Sequence, residues 1–315
     1  MRSTARVASV AVMGRGVVDP DEPVLTADDL GATRGDGCFD ATRVVTGPDG
    51  ASTVENLEAH LDRLAASAAA LDLEPPAHGQ WRELLEEMLA EWDTPGEAVL
   101  KLVLTRGREW APGQPTAYAT LVHRSVPLTG GDPFAARRGI RVVTLSKGHP
   151  HDAFAGAPWL LGGVKTLSYV VNAAAQREAR RRGADDVLFV STDGFCLDGP
   201  TSGLIVVDGG RLRTTPTGET GLLGSVTVDR IVAAARSDGM EARYELIPVA
   251  DLAGADGVWL VSSGRGPAPV RAVDGQDLVV EEALIRRVAG YAGFVVPGRP
   301  GEVGGADRPD GSDEN

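Results

Sequence analysis

The sequence predicts an α+β or mixed α/β fold in two halves, and three observations predict it. Strand-like segments fall in groups between a few helices, not in strict β-α-β alternation. The chain has 315 residues of which 43% are hydrophobic, enough for a large core and a length that suits two domains. A break rich in Gly and Pro, "PLTGGDPFAARRG" from Pro127 to Gly139, separates the two groups of elements. The expected division is an N-terminal α/β domain over 1–128, a linker over 129–137 and a second domain over 138–296. The tail, 297–315, is rich in Gly, Asp, Pro and Glu with almost no apolar residues, which predicts disorder.

The elements follow in order. "VASVAVMGRGVVDPDEP" reads as a strand reaching a turn at Asp19-Pro20. Leu57, Leu61, Leu64, Ala68 and Leu71 recur at helical spacing. A second helix runs from about Gln80 to Trp92 and stops near Thr94-Pro95-Gly96. "AVLKLVLTRG" and "TAYATLVHRSV" are strands, and "IRVVTLSK" opens the second half. A helix follows Lys165 and ends near Arg182-Gly183. "DDVLFVSTDGFCLDG" and "LIVVDGGRLRTTP" are strand pairs turned at Asp193-Gly194 and Asp208-Gly209-Gly210. Helices from near Thr227 and from Glu281 to about Ala292 complete the chain.

Composition excludes some functions. A net charge of −13 argues against nonspecific binding to nucleic acid or anionic membrane, which both need a cationic face. No apolar run approaches a membrane-spanning length. Cys38 and Cys196 have no metal-like spacing and form no disulfide framework, so the expected compartment is a reducing cytoplasm. No metal site is expected.

Four features carry chemistry. Lys165 lies in an otherwise apolar run, "LLGGVKTLSYVV". Most lysines are surface residues that reach for water. A lysine desolvated by Leu160, Leu161, Val164 and Leu167 is instead suited to attack a carbonyl as the free amine. "TTPTGETGLLGSVTVDRI" runs Gly-rich backbone into a helix capped by Thr227 or Ser225, either an ordinary cap or a phosphate site. Arg63 is on the polar side of its helix, as a solvated cation or a phosphate ligand. Asp198, beside Gly199, is turn chemistry or the acid that keeps a pyridinium nitrogen protonated.

Taken together and in this order, these segments resemble the class IV aminotransferase family, the fold-type-IV pyridoxal-phosphate enzymes with the D-amino-acid aminotransferase-like fold. The resemblance spans roughly Leu25 to Ala292. "RGDGCFDATRVVTG", "LEAHLDRL", "GVKTLSYVVNAAA", "DDVLFVSTDGFCLDGPTSGLIVV", "TTPTGETGLLGSVTVDRI" and "GVWLVSSGRGPAPV" carry it. It implies pyridoxal 5'-phosphate as cofactor, Lys165 as its covalent anchor and catalytic base, and Arg63, Val226, Thr227 and Ser263 around its phosphate. It also implies Tyr169 at the phenolic oxygen and Asp198 at the ring nitrogen. Asp198 stands where most members have glutamate, one methylene longer, so that contact is direct, longer or bridged by water.

Within the family, "RGDGCF" and "VLKLVLTRG" resemble aminodeoxychorismate lyases more than branched-chain aminotransferases. The implied reaction turns 4-amino-4-deoxychorismate into 4-aminobenzoate and pyruvate, a folate precursor step, with Lys101 and Arg106 as candidate cations for the substrate carboxylates. The alternative is a transaminase acting on branched-chain or D-amino acids. The resemblance also implies a homodimer and a small-molecule substrate.

Overall fold

The computed structural model describes residues 7–125, 132, 134–296 and 298. Residues 129–131 and 133 of the expected linker and nearly all of the expected tail lie outside these residues.

The first half is built from β1 (Ala8–Val12), β2 (Gly16–Val18), α1 (Leu30–Arg34), β3 (Gly37–Thr46), β4 (Ser52–Val54), α2 (Leu57–Ala69), α3 (His78–Ala90), β5 (Gly96–Thr105) and β6 (Thr116–His123). The strands pair antiparallel in the order β2-β1-β6-β5-β3-β4. Side chains alternate between the faces of a strand, and that alternation decides what each face does. Cys38, Val44, Leu100, Leu102, Leu104 and Leu121 point to one face and pack on Leu61 and Leu64 of α2 and Trp81 and Met88 of α3. Phe39, Ala41 and Arg43 lie at intervening positions, opposite Val103, Lys101 and Val99 on β5. This second face turns toward the rest of the chain.

The second half comprises β7 (Ile140–Ser146), α4 (Val170–Arg181), β8 (Asp186–Val190), β9 (Phe195–Cys196), β10 (Gly203–Asp208), β11 (Arg211–Thr214), α5 (Val226–Ser237), β12 (Ala242–Tyr244), β13 (Ile247–Pro248), β14 (Gly257–Ser262), β15 (Gly266–Val273), β16 (Gln276–Asp277) and α6 (Glu282–Tyr291). Its sheet has the order β12-β11-β10-β14-β15-β7-β8-β9-β13, with β16 beside β15. Three pairings, β11–β12, β15–β7 and β7–β8, are parallel. Ile231, Val232 and Ala235 of α5 and Ile285 and Val288 of α6 pack on Ile205, Trp259 and Val261. Ala175 and Ala179 of α4 cover Val143, Val187 and Phe189. Buried arginines join the halves. Glu97 of β5 accepts from Arg43 at 3.1 Å and Arg137 at 2.9 Å, while Arg137 donates to the Arg265 carbonyl and Arg43 to the Gly293 carbonyl, each at 2.7 Å.

Two local readings of the sequence need correction, and one alternative is resolved. The first strand turns before Asp19-Pro20: Gly14 and Gly16 adopt φ of 76° and 73°, and the chain folds back at once as the β1–β2 hairpin. Positive φ is cheap only for glycine, so the turn forms there. The helix after Lys165 begins at Val170 rather than beside the lysine. The intervening residues run along β3, with Phe39 N–H donating to the Lys165 carbonyl (3.0 Å) and Leu167 N–H to the Gly37 carbonyl (2.9 Å). Of the two candidate caps of α5, Ser225 is the one used: its side chain accepts from Val228 N–H.

Candidate active site

A cavity of roughly 550 Å³ opens where the outer face of the first sheet meets the second. Phe39, Ala41 and Lys101 line it from the first sheet, Arg63 from α2, and Lys165, Tyr169 and Asn172 from the segment entering α4. Lys147, Asp198, Ser202, Ser225 and Ser263 complete the wall.

Lys165 is fixed through its backbone. Its carbonyl pairs with β3, and its N–H donates to Ser67 Oγ on α2 at 3.2 Å. The ammonium lies 4.4 Å from the centre of the Phe39 ring and 5.7 Å from that of Tyr169. Phe39 and Tyr169 themselves meet edge to face at 5.3 Å. Burial, followed by the nearby Arg63 guanidinium, pulls the Lys165 ammonium down to about 8. A free amine is therefore accessible near neutral pH, which an exposed lysine does not offer.

Arg63 faces the cavity because α2 lies on β3. Its Nε and Nη2 donate to the two oxygens of Asp40 at 2.8 and 2.7 Å, and Nη1 donates to the Gly224 carbonyl at 2.8 Å. Those bonds take three of its five N–H donors and leave two for an anion. His60 Nδ1 meets Asp40 Oδ1 at 2.7 Å. Burial alone would raise the Asp40 carboxyl, but the hydrogen bonds and charges of Arg63 and His60 hold it at about 2.

Gly224 and Ser225 lead into α5, whose first N–H groups have no partner within the helix. Val226 and Thr227 occupy its first two positions, behind the cavity wall. Thr227 is buried and its Oγ1 lies 2.8 Å from Ser263 Oγ, and beside the start of α5 it is Ser263 and Ser225 that line the cavity. An arginine, two serines and a helix start are donors that could hold a phosphate.

Asp198 also lines the cavity. Its Oδ1 is buried without a hydrogen-bond partner among the described residues, as is Ser202 Oγ. Burial pushes the Asp198 carboxyl up to about 6, against the opposing charges of Lys147 and Lys165. An acceptor left open at a cavity wall fits a ring N–H, so this chain has matching residues for both ends of pyridoxal phosphate. Tyr169 donates its hydroxyl to the Pro200 carbonyl at 3.0 Å, and burial raises it to about 12, so it stays a neutral donor.

The structure thus brings Arg63, Lys101, Lys165, Tyr169, Asp198 and Ser263 around one cavity, with Val226 and Thr227 just behind it. It does not bring Arg106 there. That guanidinium donates to Asp36 at 2.7 Å and to the Leu71 carbonyl at 2.6 Å, outside the lining residues. Asp40, His60, Lys147 and Asn172 were not singled out from the sequence. Asp40 alone carried a signal, as the residue after Phe39 in the "GDGCFD" segment.

A desolvated lysine, an arginine with free donors and an open carboxylate around one cavity fit a pyridoxal-phosphate enzyme. The family model for amino-transferase class IV matches residues 37–273. The chain belongs to that family, whose members depend on pyridoxal phosphate. It is 38% identical over 277 residues to a bifunctional aminodeoxychorismate lyase / D-amino acid transaminase of Mycobacterium tuberculosis, covering 85% of this chain and 92% of the relative. Among solved structures it is similar to the fold IV-transaminase CpuTA1 of Curtobacterium pusillum, at 40% identity and TM-score 0.82 over 90% of this chain and 98% of that one. A hypothetical aminotransferase from Mycobacterium tuberculosis, solved in an α-ketoglutarate and PMP bound form, matches at 37% identity and TM-score 0.83, over 90% of this chain and 97% of that one.

Proposed function

We propose that this chain is an aminodeoxychorismate lyase, converting 4-amino-4-deoxychorismate to 4-aminobenzoate and pyruvate. The observation that carries the reading is the placement of two lysines on one ring. Lys165 and Lys101 lie 4.4 and 5.6 Å from the centre of Phe39, so a base and a carboxylate-binding cation stand within about 10 Å of each other. A substrate with two carboxylates and an amine suits such a cavity. When bound, pyridoxal phosphate supplies an electron sink that acidifies the amine-bearing carbon.

The residues of this chain do the rest. Arg63, Ser225 and Ser263 would hold the phosphate, and Asp198 Oδ1 would accept the ring N–H. Lys101 orients a carboxylate. Lys165 takes the proton from the amine-bearing carbon, the bond from the ring to the enolpyruvyl oxygen breaks, and the proton is delivered to the enolpyruvyl methylene. Pyruvate leaves and the ring becomes aromatic. No oxidant and no second substrate are needed, and placement of one proton shuttle is the protein's main task.

A second reading, amino transfer from an amino acid to a 2-oxo acid, is supported by the relative named for both activities and by the similar structure with bound α-ketoglutarate. It uses the same lysine. The test is product analysis of pure enzyme with aminodeoxychorismate, with and without an added 2-oxo acid. Equal amounts of pyruvate and 4-aminobenzoate without 2-oxo acid support the lyase. No pyruvate, with ready transfer from D-alanine to 2-oxoglutarate, leaves the transaminase alone.

The reading includes two domains meeting at the cavity and a homodimer. Trp159, Val170 and Val171 are 75%, 71% and 62% exposed beside the cavity-lining segment, an apolar surface suited to a second copy.

A further inference from the structure

Lys147 lines the cavity, yet the chemistry above gives it no task. It stands just past the end of β7, and its N–H donates to the Val190 carbonyl on β8 at 2.8 Å. Register places Leu145 opposite Phe189, and Lys147 is two residues on, so its side chain emerges on the same face of the sheet. Its ammonium lies 3.9 Å from the centre of the Phe189 ring. Phe189 is in turn the backbone partner of the Asp198 segment: its N–H donates to the Asp198 carbonyl at 2.8 Å and its carbonyl accepts from Leu197 at 2.9 Å. The lysine therefore packs on the ring of the residue whose backbone pairs with Asp198, and both line one cavity.

We propose that Lys147 is a positioning residue for the ring-nitrogen end of the site, its ammonium keeping Asp198 ionised so that this aspartate can accept the ring N–H. The need is set by the geometry. Asp198 Oδ1 is buried with no protein partner among the described residues. A carboxylate in that setting tends to take up a proton, and a protonated acid no longer supports a pyridinium. The titratable groups that face it are Lys147 from the end of β7, Lys165 from the segment before α4 and Tyr169 at its start. Tyr169 is neutral, and Lys165 would be taken up by the covalent link to the cofactor. Lys147 is the cation that takes no part in that link. The inference rests on cofactor binding and holds for lyase and transaminase alike.

The test uses apo protein and two ligands, pyridoxal phosphate and its 1-deaza analogue, in which carbon replaces the ring nitrogen. For Lys147→Met at pH 7 the expected dissociation constant for pyridoxal phosphate rises on the order of tenfold, the size of one screened charge contact. The loss shrinks at pH 9, where Asp198 ionises without help. Lys147→Arg restores binding, and the deaza analogue binds wild type and Lys147→Met alike. Unchanged affinity in Lys147→Met overturns the proposal. So does an equal loss for both ligands, which would put Lys147 at the phosphate or in the fold.

Discussion

Asp40 and Asp198 serve the same cavity and differ in almost everything else. Asp40 is 1% exposed, and both of its oxygens are taken by Arg63, with His60 on one of them. Asp198 has a buried oxygen that nothing in the described protein satisfies. The first carboxyl is held at about 2 and the second is pushed up to about 6. A saturated buried carboxylate is structural: it aims Arg63 and ties α2 to β3. An unsaturated one carries a desolvation cost that only a ligand relieves, and such open groups mark sites of chemistry.

The largest expected effect comes from the group that both carboxylates influence. On the proposed reading Lys165→Ala removes the anchor and the base, so turnover should fall on the order of 10⁴-fold or more. Borohydride reduction and peptide mapping should label Lys165 in wild type, and label on another lysine would end its assignment.

Asp198→Asn leaves the shape and removes the charge, with turnover expected to fall on the order of a hundredfold. Its thermal stability should hold or rise, because an unsatisfied acid is gone. Asp40→Asn should do the reverse, with activity per folded molecule falling less than stability. The Asp40 carboxyl is depressed in the folded state, so its stabilisation is full above the ordinary aspartate range. It is lost as pH falls through about 2. From that shift it amounts to about 2 kcal/mol. Urea melts of wild type and Asp40→Asn between pH 5 and 2 should converge as the pH falls. Parallel curves would show that Asp40 is not the structural member of the pair.

The smallest effect is a rate profile. Capture of pyridoxal phosphate by apo protein should quicken as pH rises through about 8, where Lys165 loses its proton. A midpoint near that of an ordinary lysine would mean that the desolvating wall is absent.

The contrast also shows what a sequence can carry. Lys165, Arg63 and the glycines leading into α5 each read equally well as ordinary surface or cap residues, and only their order, through the family resemblance, pointed to one site. The rings beside the Lys165 ammonium, Phe39 and Tyr169, are not the flanks the sequence suggested, since Leu160 is exposed. Asp40 and His60 gain their meaning from α2 lying on β3, and Lys147 from Phe189 on the next strand. Such contacts leave no local pattern. Arg106 erred in the opposite direction: charge and position in "LTRG" suggested a cavity cation, whereas Asp36 and Leu71 hold it elsewhere.

The central claim is that Asp198, open and ionised, receives a protonated ring nitrogen. The direct measurement is the ¹⁵N chemical shift of ring-labelled pyridoxal phosphate bound to the enzyme at pH 7.5. A shift in the protonated range for wild type, moving to the unprotonated range in Asp198→Asn and unmoved in Asp40→Asn, is the expected result. An unprotonated nitrogen in wild type, or the same shift in Asp198→Asn, would contradict it.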